Sequence, residues 1–173
     1  TYAYANGKIW AFVGPTSIMD ILSGVTTKLY SYDIATHKWA SYDSITYPTG
    51  NHLFAWNGNL YLIGGSFSET MTSNDGILKI DPATGAFTKV ATISDYSAVG
   101  QTAVSGNDLI MVRNVDGVTT SKIDLTGIDE SSPDKVLTVQ TYEFPFTVAT
   151  DAMDLTIAFA PTPTGAVMAG YGS

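Results

Sequence analysis

Short runs of apolar residues alternate with polar turns along the chain, most regularly between residues 51 and 100. The runs predict four strands there, over His52–Trp56, Asn59–Ile63, Ile77–Asp81 and Ala86–Ile93. The first two are separated only by Asn57-Gly58, a pair that accepts positive φ in a tight hairpin. The last two are separated by Pro82-Ala83-Thr84-Gly85, whose glycine suits a left-handed position. The stretch therefore predicts a four-stranded antiparallel sheet.

This pattern is repeated with a period near fifty residues. Asn6-Gly7-Lys8-Ile9-Trp10 returns 51 residues later as Asn57-Gly58-Asn59-Leu60-Tyr61, and again in degraded form as Gly106-Asn107-Asp108-Leu109-Ile110. A period of this length with four short strands per unit is typical of the blades of a β-propeller. We therefore predict an all-β propeller of four-stranded antiparallel blades.

The second unit also resembles a known family. Leu60-Tyr61-Leu62-Ile63-Gly64-Gly65, followed by Asp81-Pro82-Ala83-Thr84-Gly85 and an aromatic residue, is similar to the motif of kelch-repeat propellers in the galactose-oxidase-like superfamily. The resemblance implies blades over 1–50, 51–100 and a divergent 101–153, with the first two strands of a fourth over 154–173.

A half blade leaves apolar faces and strand edges uncovered, because propellers protect their edges by closing into a ring. Three interpretations stand: a fragment of a larger propeller, ring closure with another copy, or a small irregular ring. The fragment is the preferred one. It predicts that the remaining blades come from the parent chain, whereas the second interpretation takes them from another copy.

Composition narrows the classes of partner. Charged residues are 14% of the chain and the net charge is −8, with no run of Lys or Arg, so nucleic acid and anionic membranes are poor partners. No stretch is apolar enough for membrane insertion. A surface rich in Ser, Thr, Gly and Asn suits an extracellular protein or one on a virion surface.

The chemistry of the side chains points away from a cofactor. There is no cysteine, so thiolate metal sites and a copper-radical centre are excluded, and the two histidines lack the spacing of a metal site. Asp33, Asp81 and Asp124 recur at one position of successive units, which indicates a structural role in the turn after the third strand. His37 takes the place of Gly85 in the first unit, and histidine tolerates that left-handed conformation. We expect no cofactor and no metal.

Candidate binding residues lie on the face that receives the loops between the second and third strands and the connections between blades. Arg113 stands where the motif has glycine and could bind a carboxylate or phosphate, or pair with Asp116. His52 and Gln101 begin successive inner strands, as Thr1 does, and could line a polar channel, with His52 the best candidate for proton transfer.

Aromatic residues on the same face form a second group of candidates. Tyr47 and Tyr96 lie in connections between blades and Phe67 in a long loop, where they could form a platform for a sugar ring or a protein. The alternative is packing between blades, which we expect for Phe144 and Phe146.

These observations favour a non-enzymatic binding module that recognises a cell-surface glycan or protein, as part of a virion tail fibre or a bacterial surface protein. An alternative is a carbohydrate-active enzyme resembling the kelch-type sugar-acid mutarotases, with Arg113 binding a carboxylate and His52 near the reacting carbon. A structural spacer in an assembly is the third possibility. Fold alone does not choose among them.

Overall fold

The fold is almost entirely antiparallel β-structure. A computed structural model describes residues 1–15, 19–20, 23–67, 69–114, 118–143, 156–162 and 165–171. Its strands in chain order are β1 (Tyr2–Ala5), β2 (Lys8–Val13), β3 (Thr27–Asp33), β4 (Lys38–Tyr47), β5 (His52–Trp56), β6 (Asn59–Ile63), β7 (Ser66–Phe67), β8 (Thr72–Ser73), β9 (Gly76–Ile80), β10 (Phe87–Ile93), β11 (Gln101–Ser105), β12 (Asp108–Asn114), β13 (Val118–Asp124), β14 (Val136–Leu137), β15 (Gln140–Glu143), β16 (Thr156–Thr162) and β17 (Gly165–Tyr171). Within the described residues, no helix is long and apolar enough to cross a membrane.

Four sheets follow one another along the chain. The first has the order β1-β2-β3-β4, the second β14-β10-β9-β6-β5, the third β11-β12-β13-β15, and the fourth contains β16 and β17. Strands β7 and β8 form a separate two-stranded ribbon. The four strands predicted between residues 51 and 100 agree with β5, β6, β9 and β10 to within one residue at each end.

The sheets are arranged around their first strands. Strand β1 lies beside β5, β5 beside β11, and β11 beside β16. The hydroxyl of Thr102 donates to the carbonyl of Leu53 at 3.3 Å, and Ser105 donates to Thr162 at 2.7 Å, so side chains join neighbouring first strands. Successive antiparallel sheets that meet at their first strands form an all-β, propeller-like fold.

The hydrophobic core is divided into two layers, each between neighbouring sheets. Between the first and second sheets, Trp10, Phe12 and Leu29 of the first sheet pack with Leu60 and Leu62 of the second. Between the second and third sheets, the buried side chains include Tyr61, Ile63, Ile77, Leu109, Met111 and Ile123. The second sheet is therefore apolar on both faces, which explains the run of consecutive apolar residues in β6.

The turns after the third strands confirm the structural role of the recurring aspartates. Asp33 accepts the backbone N–H of Thr36 at 2.9 Å, and Asp81 accepts that of Ala83 at 2.9 Å. Asp124 accepts the backbone N–H of Thr126 at the same distance in the third unit. These backbone bonds lower the pKa of Asp33 and Asp81, and the hydroxyl and backbone N–H of Thr126 lower that of Asp124, since hydrogen bonds favour the charged carboxylate.

The last position of this turn is left-handed in the first two sheets. Gly85 has φ +76°, and His37 has φ +56° at the equivalent position, as the sequence predicts. The imidazole Nδ1 of His37 lies 3.0 Å from the hydroxyl of Tyr32, a contact within the same hairpin.

The connection that follows β13 contributes a strand to the second sheet, which the sequence does not predict. It contains β14, whose residues Val136 and Leu137 pair in parallel with Thr92 and Ile93 of β10. The amide of Thr92 donates to Lys135 and that of Ser94 to Leu137, each at 3.0 Å. A segment that follows the third sheet's inner strands therefore covers the edge of the second sheet.

Candidate functional site

One rim of the molecule collects the long connections. Register pairs His52 with Ile63 and Gln101 with Val112, so the beginning of each first strand lies beside the end of the second strand. The connections at those ends come together on this rim, which we call the loop face: residues 48–51, 64–67, 69–75, 94–100 and 113–114. Residues 115–117 and 144–151, which the sequence also assigns to this face, lie outside the described residues. The second range includes Phe144 and Phe146.

Glycines 64 and 65 allow two of these connections to approach the second sheet closely. Both have positive φ, +72° and +81°. A Cβ at Gly65 would lie 2.7 Å from the carbonyl oxygen of Thr49, and one at Gly64 would lie 2.7 Å from a methyl of Val99. The glycine pair is therefore required where the connections from both neighbouring sheets meet.

His52 lies partly buried at the start of β5. Its Nδ1 is buried and has no hydrogen-bond partner among the described residues. Burial lowers the pKa of this imidazole to about 4, because desolvation disfavours the charged ring. The ring is therefore neutral near pH 7, where an acid–base catalyst works best with a pKa close to the ambient pH.

Asn51 is a polar residue of the loop face that the sequence analysis did not single out. Its side chain is 5% exposed, and its amide donates to the carbonyl of Pro48 at 2.5 Å. Its Oδ1 is buried without a partner among the described residues. Its position in the repeat could have indicated this residue from the sequence. Asn51 aligns with Gly100, and asparagine there places a buried amide next to His52.

Arg113 occupies the position in the third sheet that Gly64 occupies in the second. Its side chain is half-buried, and it forms no ion pair within the described part of the chain, from which Asp116 is missing. Gly100 packs directly on this strand, since a Cβ there would lie 2.8 Å from the Cα of Arg113. The connection that ends at Gly100 therefore runs next to the arginine.

Tyr96 lies on that same connection and is exposed. It begins a single 3₁₀ turn, Tyr96–Ala98, and Asp95 accepts the backbone N–H of Ser97 at 2.9 Å at the start of the turn. The tyrosine side chain is 53% exposed, while Ala98 is 4% exposed and Val99 packs against the core. The turn holds an aromatic ring in solvent on an anchored backbone.

Two other predicted members of the aromatic platform pack inward. Tyr47 is 1% exposed, and its hydroxyl donates to the carbonyl of Gly85 at 2.7 Å. The expectation of an exposed ring is therefore wrong for Tyr47, and the alternative, packing between blades, describes it. Phe67 is half-buried, with its ring centroid 6.1 Å from that of Phe87.

Gln101 and Thr1, the other predicted channel residues, are exposed at the starts of β11 and β1. On the loop face, Tyr96 lies on the connection that ends at Gly100, beside the strand that carries Arg113, while His52 and Asn51 lie at the start of β5. Within the described residues, no group of three or more acidic or histidine side chains is arranged to hold a metal ion.

A separate cavity lies on the opposite rim, between the turns of the third sheet and β14. It has a volume of about 350 Å³, and its lining includes Asp108, Lys122, Thr126 and Gln140. Lys122 pairs with Asp108 at 3.2 Å, and Asp124, also in the lining, accepts hydrogen bonds from Thr126.

Comparison with known proteins identifies the fold without a family. No protein-family model matches the chain, and no curated protein matches it. Among solved structures, the chain is similar to YjhT, with a TM-score of 0.54 and 13% sequence identity. The match covers 82% of this chain and 50% of the YjhT chain, so the chain spans about half the length of that protein. At this identity the likeness concerns the fold alone.

Proposed function

We propose that this chain belongs to a non-enzymatic binding protein of the kelch-repeat propeller class, and that its loop face recognises a glycan on a cell surface. The kelch assignment is supported by the glycine pair of the second sheet and by the capped turn that ends at Gly85. The proposed setting is extracellular, on a virion tail fibre or a bacterial surface.

The observation that carries this proposal is the exposed ring of Tyr96. An aromatic face binds the apolar face of a sugar ring, and tyrosine supplies contact area at a low cost in conformational entropy. The 3₁₀ turn capped by Asp95 fixes the backbone below the ring, so little ordering is needed when a ligand binds.

Arg113 supplies the second element of this site. Its guanidinium can bind a carboxylate with two parallel hydrogen bonds. An exposed aromatic ring on an anchored connection, with an arginine on the strand beside the end of that connection, suits an acidic sugar. The net charge of −8 makes such an arginine a local exception on an acidic protein, which favours a specific role over general attraction of anions.

The enzymatic alternative receives no support from His52. A sugar-acid mutarotase would need a group that gains and loses a proton near neutral pH, whereas burial lowers the pKa of His52 to about 4. The spacer alternative predicts that no loop-face substitution affects binding to any surface.

A glycan array probed with the labelled chain tests the proposal. We expect signal on glycans that carry a carboxylate, reduced about 10-fold by Tyr96→Ala, since stacking of this kind contributes roughly 1–2 kcal/mol. Arg113→Ala should abolish the preference for the carboxylate, and Arg113→Lys should restore it only in part, because lysine cannot form the bidentate pair.

Trp39→Ala is the matched control, since Trp39 is a 65% exposed aromatic residue that pairs with Tyr32 beside the hairpin turn at the opposite end of the first sheet. It should leave binding unchanged. Binding to cells that survives enzymatic removal of surface glycans would replace the glycan with a protein receptor. Equal binding by the wild-type chain and both loop-face variants would exclude the loop face.

A further inference from the structure

The connection that carries Tyr96 ends on the strand that carries Arg113. Its last residue, Gly100, is buried immediately before β11. A Cβ added at Gly100 would overlap the carbonyl oxygen of Val112 and would lie 2.8 Å from the Cα of Arg113. Both of these are backbone atoms, which cannot rotate away as the end of a side chain can. The connection therefore lies directly on β12 only because residue 100 has no side chain.

Glycine and larger residues exchange places between the second and third sheets. In the second sheet, Gly64 and Gly65 follow β6, and the connection that reaches them carries the buried Asn51, whose backbone nitrogen would lie 2.9 Å from a Cβ at Gly65. In the third sheet, the end of β12 carries Arg113, and Gly100 takes the aligned position on the connection. Each junction thus has glycine on one side only. Gly100 is the change that accommodates Arg113 at the second junction.

The beginning of the same connection is also held in place. The amide of Ser94 donates to the carbonyl of Leu137 at 3.0 Å, and the hydroxyl of Ser94 accepts the amide of Val139 at 2.9 Å. Asp95 then caps the 3₁₀ turn. The backbone under Tyr96 is therefore fixed by hydrogen bonds before the ring and by close packing after it.

The path from Tyr96 to Gly100 is short. Residues Tyr96–Ala98 form one 3₁₀ turn, and Val99 is extended. A 3₁₀ turn advances about 2 Å per residue and an extended chain no more than about 3.6 Å, so the Cα atoms of Tyr96 and Gly100 are at most about 11 Å apart. Since Gly100 packs on the backbone of Arg113, the two long side chains start close enough to contact one small ligand.

We propose that Tyr96 and Arg113 act as one site for a single uronic acid residue, a sugar whose carboxylate is attached directly to its ring, and that Gly100 is the positioning residue that joins them. The inference rests on the glycan site proposed above and narrows its ligand. The tyrosine ring covers the apolar face of the sugar, while the guanidinium binds the carboxylate through two parallel hydrogen bonds. Both contacts need the same orientation of the sugar, so loss of either contact weakens the other.

A double-mutant cycle measures this coupling. The probes are the methyl glycosides of glucuronic acid and galacturonic acid, titrated into the whole chain and followed by NMR, with methyl glucoside as the probe that lacks the carboxylate. We expect Tyr96→Ala and Arg113→Ala each to raise the dissociation constant of the uronide about 10-fold. The double variant should raise it no more than about 20-fold, because residues that share one ligand are not additive. Independent contacts would give about 100-fold, and that result overturns the single site.

Variants of the connection test the positioning role of Gly100. Gly100→Ala should lower the affinity for the uronide, and in this background the effects of Tyr96→Ala and Arg113→Ala should become independent, which a loss of stability alone would not produce. Gly106→Ala is the matched control, because Gly106 has φ +61° and no atom within 4 Å of an added Cβ. It should leave the coupling unchanged.

A second variant serves if Gly100→Ala is insoluble. Insertion of one glycine after Val99 lengthens the connection without placing a side chain on β12, and the same loss of coupling is expected. Coupling that survives in either variant overturns the role of Gly100.

The outcomes separate this inference from the proposed function. If the glycan-array signal requires both Tyr96 and Arg113 but neither uronide binds to the chain, the proposed function stands and the uronic acid site is overturned. If neither substitution changes the array signal or the uronide titration, the proposed function and this inference are both overturned. Methyl glucoside should bind equally to the wild-type chain and to Arg113→Ala, since it offers the guanidinium no carboxylate.

Discussion

The hydroxyl of Tyr47 donates a hydrogen bond to the backbone carbonyl of Gly85 at 2.7 Å, from the end of the first sheet to a turn of the second. The ring of Tyr47 also packs edge-on against Phe12, with centroids 4.8 Å apart. Burial raises the pKa of this phenol, so the group remains a donor throughout the physiological range. A residue that the sequence suggests for ligand binding thus joins two sheets.

Tyr47→Phe should lower the free energy of unfolding by about 1–2 kcal/mol, because it leaves the Gly85 carbonyl without its buried donor. Chemical denaturation followed by tryptophan fluorescence measures the change. Tyr142→Phe is the control: its hydroxyl bonds to Gln140 at an exposed site, and its removal should change stability by less than about 0.5 kcal/mol. Equal effects of the two substitutions would contradict the joining role of Tyr47.

His52 predicts a pH dependence of stability. The pKa of this ring is about 4 in the folded chain and near 6.5 in the unfolded chain. Between these values protonation stabilises the unfolded state, so stability is retained above pH 6.5 and falls as the pH drops from about 6.5 to about 4. The loss approaches about 3 kcal/mol in the limit of full burial.

Denaturation curves across this pH range compare the wild-type chain with His52→Asn and His37→Asn. His52→Asn should flatten the dependence, while His37→Asn should leave it unchanged, since His37 is exposed and asparagine tolerates its positive φ. The capped aspartates lose their contribution only below about pH 4, because their lowered pKa values keep them charged above it. If the stability of His52→Asn fell with pH as steeply as that of the wild-type chain, the burial of a neutral ring at position 52 would be refuted.

Adjacent residues of β14 should respond very differently to truncation. Leu137 is 6% exposed and packs into the core, so Leu137→Ala should cost about 2–4 kcal/mol. Val136 is 58% exposed, and Val136→Ala should cost less than about 0.5 kcal/mol. Thermal denaturation of both variants provides the measurement. Similar melting temperatures for the two would show that β14 does not dock in solution.

Two glycines with similar φ separate backbone strain from close packing. Gly58 has φ +73° and only one atom within 4 Å of an added Cβ, the Oδ1 of Asn6 at 3.6 Å. Gly58→Ala should therefore cost about 1 kcal/mol. Gly65→Ala adds a clash with the carbonyl of Thr49 and should cost more than about 3 kcal/mol, or prevent soluble expression. An equal cost at both positions would argue that the loop-face connections are not held by the glycine pair.

Local turn chemistry explains why the strands of the second sheet could be predicted from the sequence. Asn57-Gly58 and Asp81 to Gly85 fix where strands begin and end through bonds among neighbouring residues. The burial of Tyr47 could not be predicted in this way, because it depends on how one sheet packs on the next. Strand β14 has only two residues, which is too short for a periodic pattern.

The loop face shows the same division. The position of Arg113 followed from the repeat, since it replaces an aligned glycine. The exposure of Tyr96 depends on the capped turn below it, and the unpartnered atoms of Asn51 and His52 depend on three-dimensional packing. Alignment of the repeats predicts which strand position a residue occupies, whereas packing against the neighbouring sheet determines whether its side chain is buried or exposed.

The parallel pairing of β14 with β10 bears on how this chain can be dissected. A cut near residue 100, the boundary that the repeat suggests, would remove β14 from the outer edge of the second sheet. The amides of β10 that donate to it would then lack hydrogen-bond partners. Because β14 of the third repeat pairs with β10 of the second, these two repeats cannot be exchanged or duplicated as independent units. Shuffling in the laboratory would have to move residues 51–143 as one piece.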